Sequence, residues 1–101
     1  MDKNYAITLS KKFIEKIKQN QIDVLDAWLF GSYAKGDFNN DSDIDLALIL
    51  PENNMSFDTD VRLMTLRNGE ETIIETHTYS QQDFSTNIPI IKQIKQFGFQ
   101  L

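Results

Sequence analysis

Residues 31–50 read GSYAKGDFNNDSDIDLALIL, and the fold turns on how this stretch divides. Gly31 closes an apolar run; Ser32 to Lys35 has room for one helical turn, with Ser32 placed to cap it and Gly36 to end it. Asp37 to Ser42 has turn-forming composition. From Asp43 to Leu50 the chain reads as a strand, with Ile44, Leu46, Leu48 and Leu50 on one face. Ala47 and Ile49 are apolar on the other face. Apolar residues on both faces mark a central strand covered on both sides, which Pro51 ends.

Working outward, Ile22 to Phe30 holds Val24, Leu25, Trp28, Leu29 and Phe30, a run too short for a long helix and read as a buried strand. Before it, Thr8 to Asn20 spaces Leu9, Phe13, Ile14 and Ile17 three and four residues apart, the pattern of an amphipathic helix. Downstream, Glu52 to Phe57 reads as a loop and Asp58 to Asn68 as a second helix capped by Gly69. Glu71 to Tyr79 is rich in Thr, Ile and Tyr and predicts a third strand. Ser80 to Phe84 opens a polar turn, and Pro89 to Phe97 predicts the last helix, with Ile90, Ile91 and Ile94 on its apolar face and Gly98 as its stop. The expected fold is α/β (α+β): a small mixed β-sheet of three to four strands with helices mainly on one face. The sheet's other face holds the acids. Residues 1–101 read as a single domain without repeats or linkers.

The 101 residues carry 15 acidic and 10 basic side chains, a net charge of −5. That balance opposes non-specific binding to nucleic acid or to anionic membranes. Cysteine is absent, so disulfides and thiolate zinc sites are excluded. The first ten residues lack the apolar centre of a signal peptide and no run is long enough for a membrane span, so a cytoplasmic location is expected.

The chemistry concentrates in the opening stretch. Asp43 and Asp45 are two apart on a strand, so they are expected side by side on one face, where their mutual repulsion calls for a cation. Magnesium, which prefers a few carboxylates plus phosphate oxygens, is the natural partner. Gly31 permits close backbone approach at the end of the preceding strand. With the two strands neighbours in a parallel or mixed sheet, the turn's N–H groups and the Ser32 hydroxyl face a phosphate. Lys35 could add positive charge there, or stand in solvent. Glu75, lying amid Ile73, Ile74 and Thr76, is the candidate third carboxylate for a two-metal site. His77 shares its face and is left without an assigned role. A calcium loop is imitated by Asp37, Asn39 and Asp41. It fails at Ser42 and Leu48, where that pattern needs Gly and Glu.

GSYAKG followed by DSDIDLAL resembles the signature of the nucleotidyltransferase superfamily related to DNA polymerase β, in particular its minimal prokaryotic members. The resemblance covers about residues 22–80, and ETHTYSQQDF before an isoleucine-rich helix is similar to the tail of small members. It implies that Gly31 and Ser32 grip phosphates and that Asp43 and Asp45 bind metal. Glu75 takes the third acidic position, where the commonest pattern has aspartate. The implied reaction moves AMP from ATP, with two Mg2+ ions, to an acceptor hydroxyl and releases pyrophosphate. Larger relatives devote extra domains to the acceptor. Small members resemble the antitoxin half of toxin–antitoxin pairs, whose partner is an all-helical ribonuclease of the HEPN type silenced by adenylylation. The expected acceptor is therefore a hydroxyl on such a partner, a tyrosine by preference, within a homo- or hetero-oligomer. The alternative is a catalytically silent nucleotide-binding or partner-neutralising module; a small-molecule modifier would need a pocket this chain can hardly build alone.

Overall fold

In the computed structural model, which describes residues 2–101, five α-helices flank a four-stranded sheet of order β3-β2-β1-β4. The helices are α1 (Lys3–Gln19), α2 (Ser32–Lys35), α3 (Phe57–Thr65), α4 (Gln81–Phe84) and α5 (Pro89–Phe97), and the strands are β1 (Asp26–Phe30), β2 (Ile44–Leu50), β3 (Ile74–Ser80) and β4 (Phe99–Gln100). Strand β2 is central, as its two-sided apolarity predicts. It runs antiparallel to β1 and parallel to β3, while β4 adds two antiparallel residues to the far edge of β1.

The alternation along β2 builds two separate cores. Ile44, Leu46, Leu48 and Leu50 pack with Leu9, Phe13 and Ile17 of α1, Tyr33 of α2 and Leu63 of α3. Ala47 and Ile49 point the other way, against Phe84 of α4 and Ile91 and Ile94 of α5. The longest helix thus lies on the first face. The acid-bearing face is not bare, because α4 and α5 cover its apolar end. Burying side chains of this kind contributes about 1.5–3 kcal/mol each, so both faces hold β2 in place.

Several boundaries differ from the sequence reading for local reasons. Helix α1 starts at Lys3 instead of Thr8, because the Asp2 carboxylate caps it by accepting from the Tyr5 N–H at 2.9 Å. Only the second half of Ile22–Phe30 is strand: Gln21 turns the chain at φ 66°, Ile22 is buried beneath α1 and Leu25 is exposed. Helix α3 opens at the Ser56 cap and ends at Thr65, so Gly69 does not cap it; Gly69 opens a 3-10 turn, Gly69–Ile73, that delays β3 to Ile74. Part of the expected loop after Pro51 is a 3-10 turn, Glu52–Asn54. Helix α5 has the bounds its Pro and Gly predict, and Ser80 caps α4 by accepting from Asp83 N–H at 3.0 Å. Among the described residues, no helix is long and apolar enough to cross a membrane.

Candidate active site

The antiparallel pairing of β1 with β2 brings the end of one strand beside the start of the next. Phe30 pairs with Asp45, so Gly31 and the following helical turn stand over the first residues of β2. A parallel pairing of these two strands would have sent the glycine turn to the opposite end. Strand β3, parallel to β2, is in register with Asp45 opposite Glu75 and Ala47 opposite His77. Asp45, Glu75 and His77 therefore share one face at the sheet's open end.

Gly31 and Asp45 are locked together sterically. Gly31 has φ 76° and ψ −152°, a backbone region open in practice to glycine alone. A Cβ there would collide with Asp45 Oδ2 and lie 3.1 Å from its Cγ. The carboxylate occupies the space a side chain would need. Gly31, not Ser32, stands at the cap position of α2, and no side chain caps that helix. The backbone N–H groups of its first turn consequently have no partner within the helix. Ser32 is half-buried, and Tyr33 is buried and stacked on Phe38 at 4.6 Å between centroids, which anchors the turn from below.

His77 Nε2 lies 3.2 Å from Asp45 Oδ1 and 3.9 Å from Glu75 Oε1. The three residues each offer one ligand atom, all within 4.8 Å of one another. The His77 ring is held edge-on by Phe30 at 5.0 Å between centroids. Its pKa is raised above the usual 6.5: the hydrogen bond to Asp45 favours the charged ring, burial opposes it, and the negative charges of Asp45 and Glu75 add to the rise. Among the described residues no lysine or arginine pairs with Asp45 or Glu75. A cluster with two carboxylates, one imidazole and no fixed cation is a donor set that suits a divalent ion.

The structure unites two of the three predicted acids. Asp43 precedes β2, is exposed, and does not join the other three within that distance. The two-residue alternation that would align it with Asp45 holds only inside the strand, which begins at Ile44. Lys35 is exposed near the turn, its Nζ 5.5 Å from the Phe97 ring centroid, which draws it toward the end of α5. The sequence places His77 on the Glu75 face without assigning it a role, because its contact with Asp45 is to another strand. Only the Asp45–Glu75 register reveals it.

A family model described as polymerase beta, nucleotidyltransferase, matches residues 11–98. No curated protein gives a match. Among solved structures the chain is similar to a proposed nucleotidyltransferase from Sulfolobus solfataricus, with a TM-score of 0.66 and 15% identity over 97% of this chain and 80% of that one. At that identity the likeness speaks for the fold alone.

Proposed function

The chain belongs to the polymerase beta nucleotidyltransferase family, and from that premise we propose that it transfers AMP from ATP to a hydroxyl on a partner protein, as the antitoxin of a HEPN-type pair. The observation that carries the nucleotide half of this reading is the junction of Gly31 with Asp45, beside Glu75 and His77. A glycine-only turn packed on a carboxylate puts phosphate-binding backbone and cation-binding oxygen side by side.

In this reading Asp45 and Glu75 hold Mg2+, with Asp43 at the rim available once phosphate oxygens arrive. A bound divalent ion of this kind neutralises the triphosphate and polarises the phosphorus under attack. The Ser32 hydroxyl and the free N–H groups of α2 orient the distal phosphates, and Lys35 adds charge after leaving Phe97. The oxygen of an acceptor hydroxyl attacks the α-phosphorus as its proton passes to solvent, the bond from the α-phosphorus to the bridging oxygen breaks, and pyrophosphate leaves. Most of the acceleration in such a transfer comes from positioning and electrostatics. In this reading the acceptor hydroxyl is carried by another molecule.

Mass spectrometry of a co-expressed helical partner, with ATP and a divalent ion supplied, tests this. Addition of one AMP to the partner, on tyrosine, is expected; an unmodified partner overturns the protein-acceptor reading. The exposed position of Asp43 outside the trio favours a second reading, a nucleotide-binding module without turnover. Stabilisation by ATP and metal without any transfer would select it.

A further inference from the structure

We propose that the metal centre has mixed donors, with His77 supplying a nitrogen ligand beside Asp45 and Glu75. The site then takes a first-row divalent transition ion, with Mn2+ as its probe, in preference to Mg2+. This rests on the reading that the cluster binds a cation; it adds the third ligand and replaces the Mg2+ of that reading with a transition ion.

Three observations converge. One pair of donor atoms is spaced as neighbours around one ion: ligands about 2.1 Å from a common metal lie roughly 3.0–3.4 Å apart, and His77 Nε2 stands 3.2 Å from Asp45 Oδ1, a contact that is a hydrogen bond while no ion is bound. Glu75 Oε1 stands 3.9 Å from the same nitrogen on an exposed side chain. The imidazole is also oriented before any ion arrives, by the edge contact with Phe30 and by its place on the strand opposite Ala47. Finally, Asp43 lies outside the trio, so the third donor nearest to Asp45 and Glu75 is nitrogen and not a third carboxylate. Magnesium favours oxygen and keeps its waters, whereas imidazole suits transition ions. The donor set therefore discriminates by chemistry instead of by charge.

The chain has one histidine, which makes the test specific. Untagged protein is grown with 15N-histidine or with natural nitrogen, loaded with Mn2+ alone, and studied by electron spin-echo envelope modulation. A 14N coupling that becomes a 15N coupling on labelling is expected. In parallel, Mn2+ binding is followed by electron paramagnetic resonance and Mg2+ by competition. His77→Gln should weaken Mn2+ roughly 10-fold or more while moving Mg2+ by less than about 3-fold. Bound Mn2+ without nitrogen coupling, or equal weakening of both ions, overturns the proposal and makes His77 a positioning residue for Asp45. Asp45→Asn separates the two levels. If it abolishes Mn2+ binding while the wild type shows no nitrogen coupling, only the inference fails. If it binds Mn2+ as the wild type does, the underlying cation site fails with it.

Discussion

Two groups of acids in this molecule sit in opposite circumstances. Glu71, in the 3-10 turn before β3, accepts from Lys16 Nζ at 2.8 Å and from the Asn68 N–H at 2.9 Å, and its side chain is 16% exposed. Glu75, four residues on, is 57% exposed and its one ion-pair partner among the described residues is His77, which it shares with Asp45. The first acid brings its own cation and ties the turn to α1. The second pair faces the imidazole of His77, with no lysine or arginine partner among the described residues. A carboxylate already paired with a lysine is scaffold; an acid cluster held in place with no lysine or arginine partner among the described residues is a candidate site.

The largest effect separating the two regions is expected from Gly31→Ala. The new methyl meets the Asp45 carboxylate, and the backbone there is strained for any residue but glycine. Denaturant unfolding should show a loss of about 2–3 kcal/mol, together with loss of the melting shift caused by ATP and divalent metal. A stable variant that keeps this shift would break the link between turn and acid.

Glu71→Gln should behave in the opposite sense. It removes a partly exposed ion pair and weakens a capping box, so a loss of about 1 kcal/mol is expected, with the ligand-induced shift unchanged. Loss of ligand binding in this variant would erase the distinction between scaffold and site.

The smallest effect is a pH dependence. Burial pushes the Glu71 carboxyl up, but the bonds from Lys16 and the Asn68 N–H, with the Lys16 charge, together hold it below its usual 4.5. A depressed carboxyl stabilises above its unfolded pKa, so this contribution is fully present above 4.5 and is lost as pH falls through the folded value. The stability difference between wild type and Glu71→Gln should accordingly be flat above that point and shrink below it.

Much of this was legible in the residues. The two-sided apolarity of β2 and Pro89 and Gly98 around α5 are local signals, and each is found in place; the polar turn read from Ser80 is instead the short helix α4, which Ser80 caps. The start of α1 was harder, because a capping Asp2 followed by Lys3 and Asn4 carries no apolar periodicity until Ala6. Strand β4, two residues long, has no signal of its own and exists by bonding to β1. At the site, Gly31, Asp45 and Glu75 could be named from their places on strands. That Asp43 stands apart and His77 contacts Asp45 could not, since one depends on where β2 begins and the other on register between strands.

The proposed function stands on the Gly31–Asp45 junction binding a nucleoside triphosphate with a divalent ion. Melting temperatures of wild type and Asp45→Asn, with and without ATP and metal, test it directly. Ligand at about 100 times its Kd stabilises by roughly 2.7 kcal/mol, which in a domain this size raises the midpoint by on the order of 10 °C. That rise is expected in the wild type and none in Asp45→Asn. No rise in the wild type, or an equal rise in both, would contradict it.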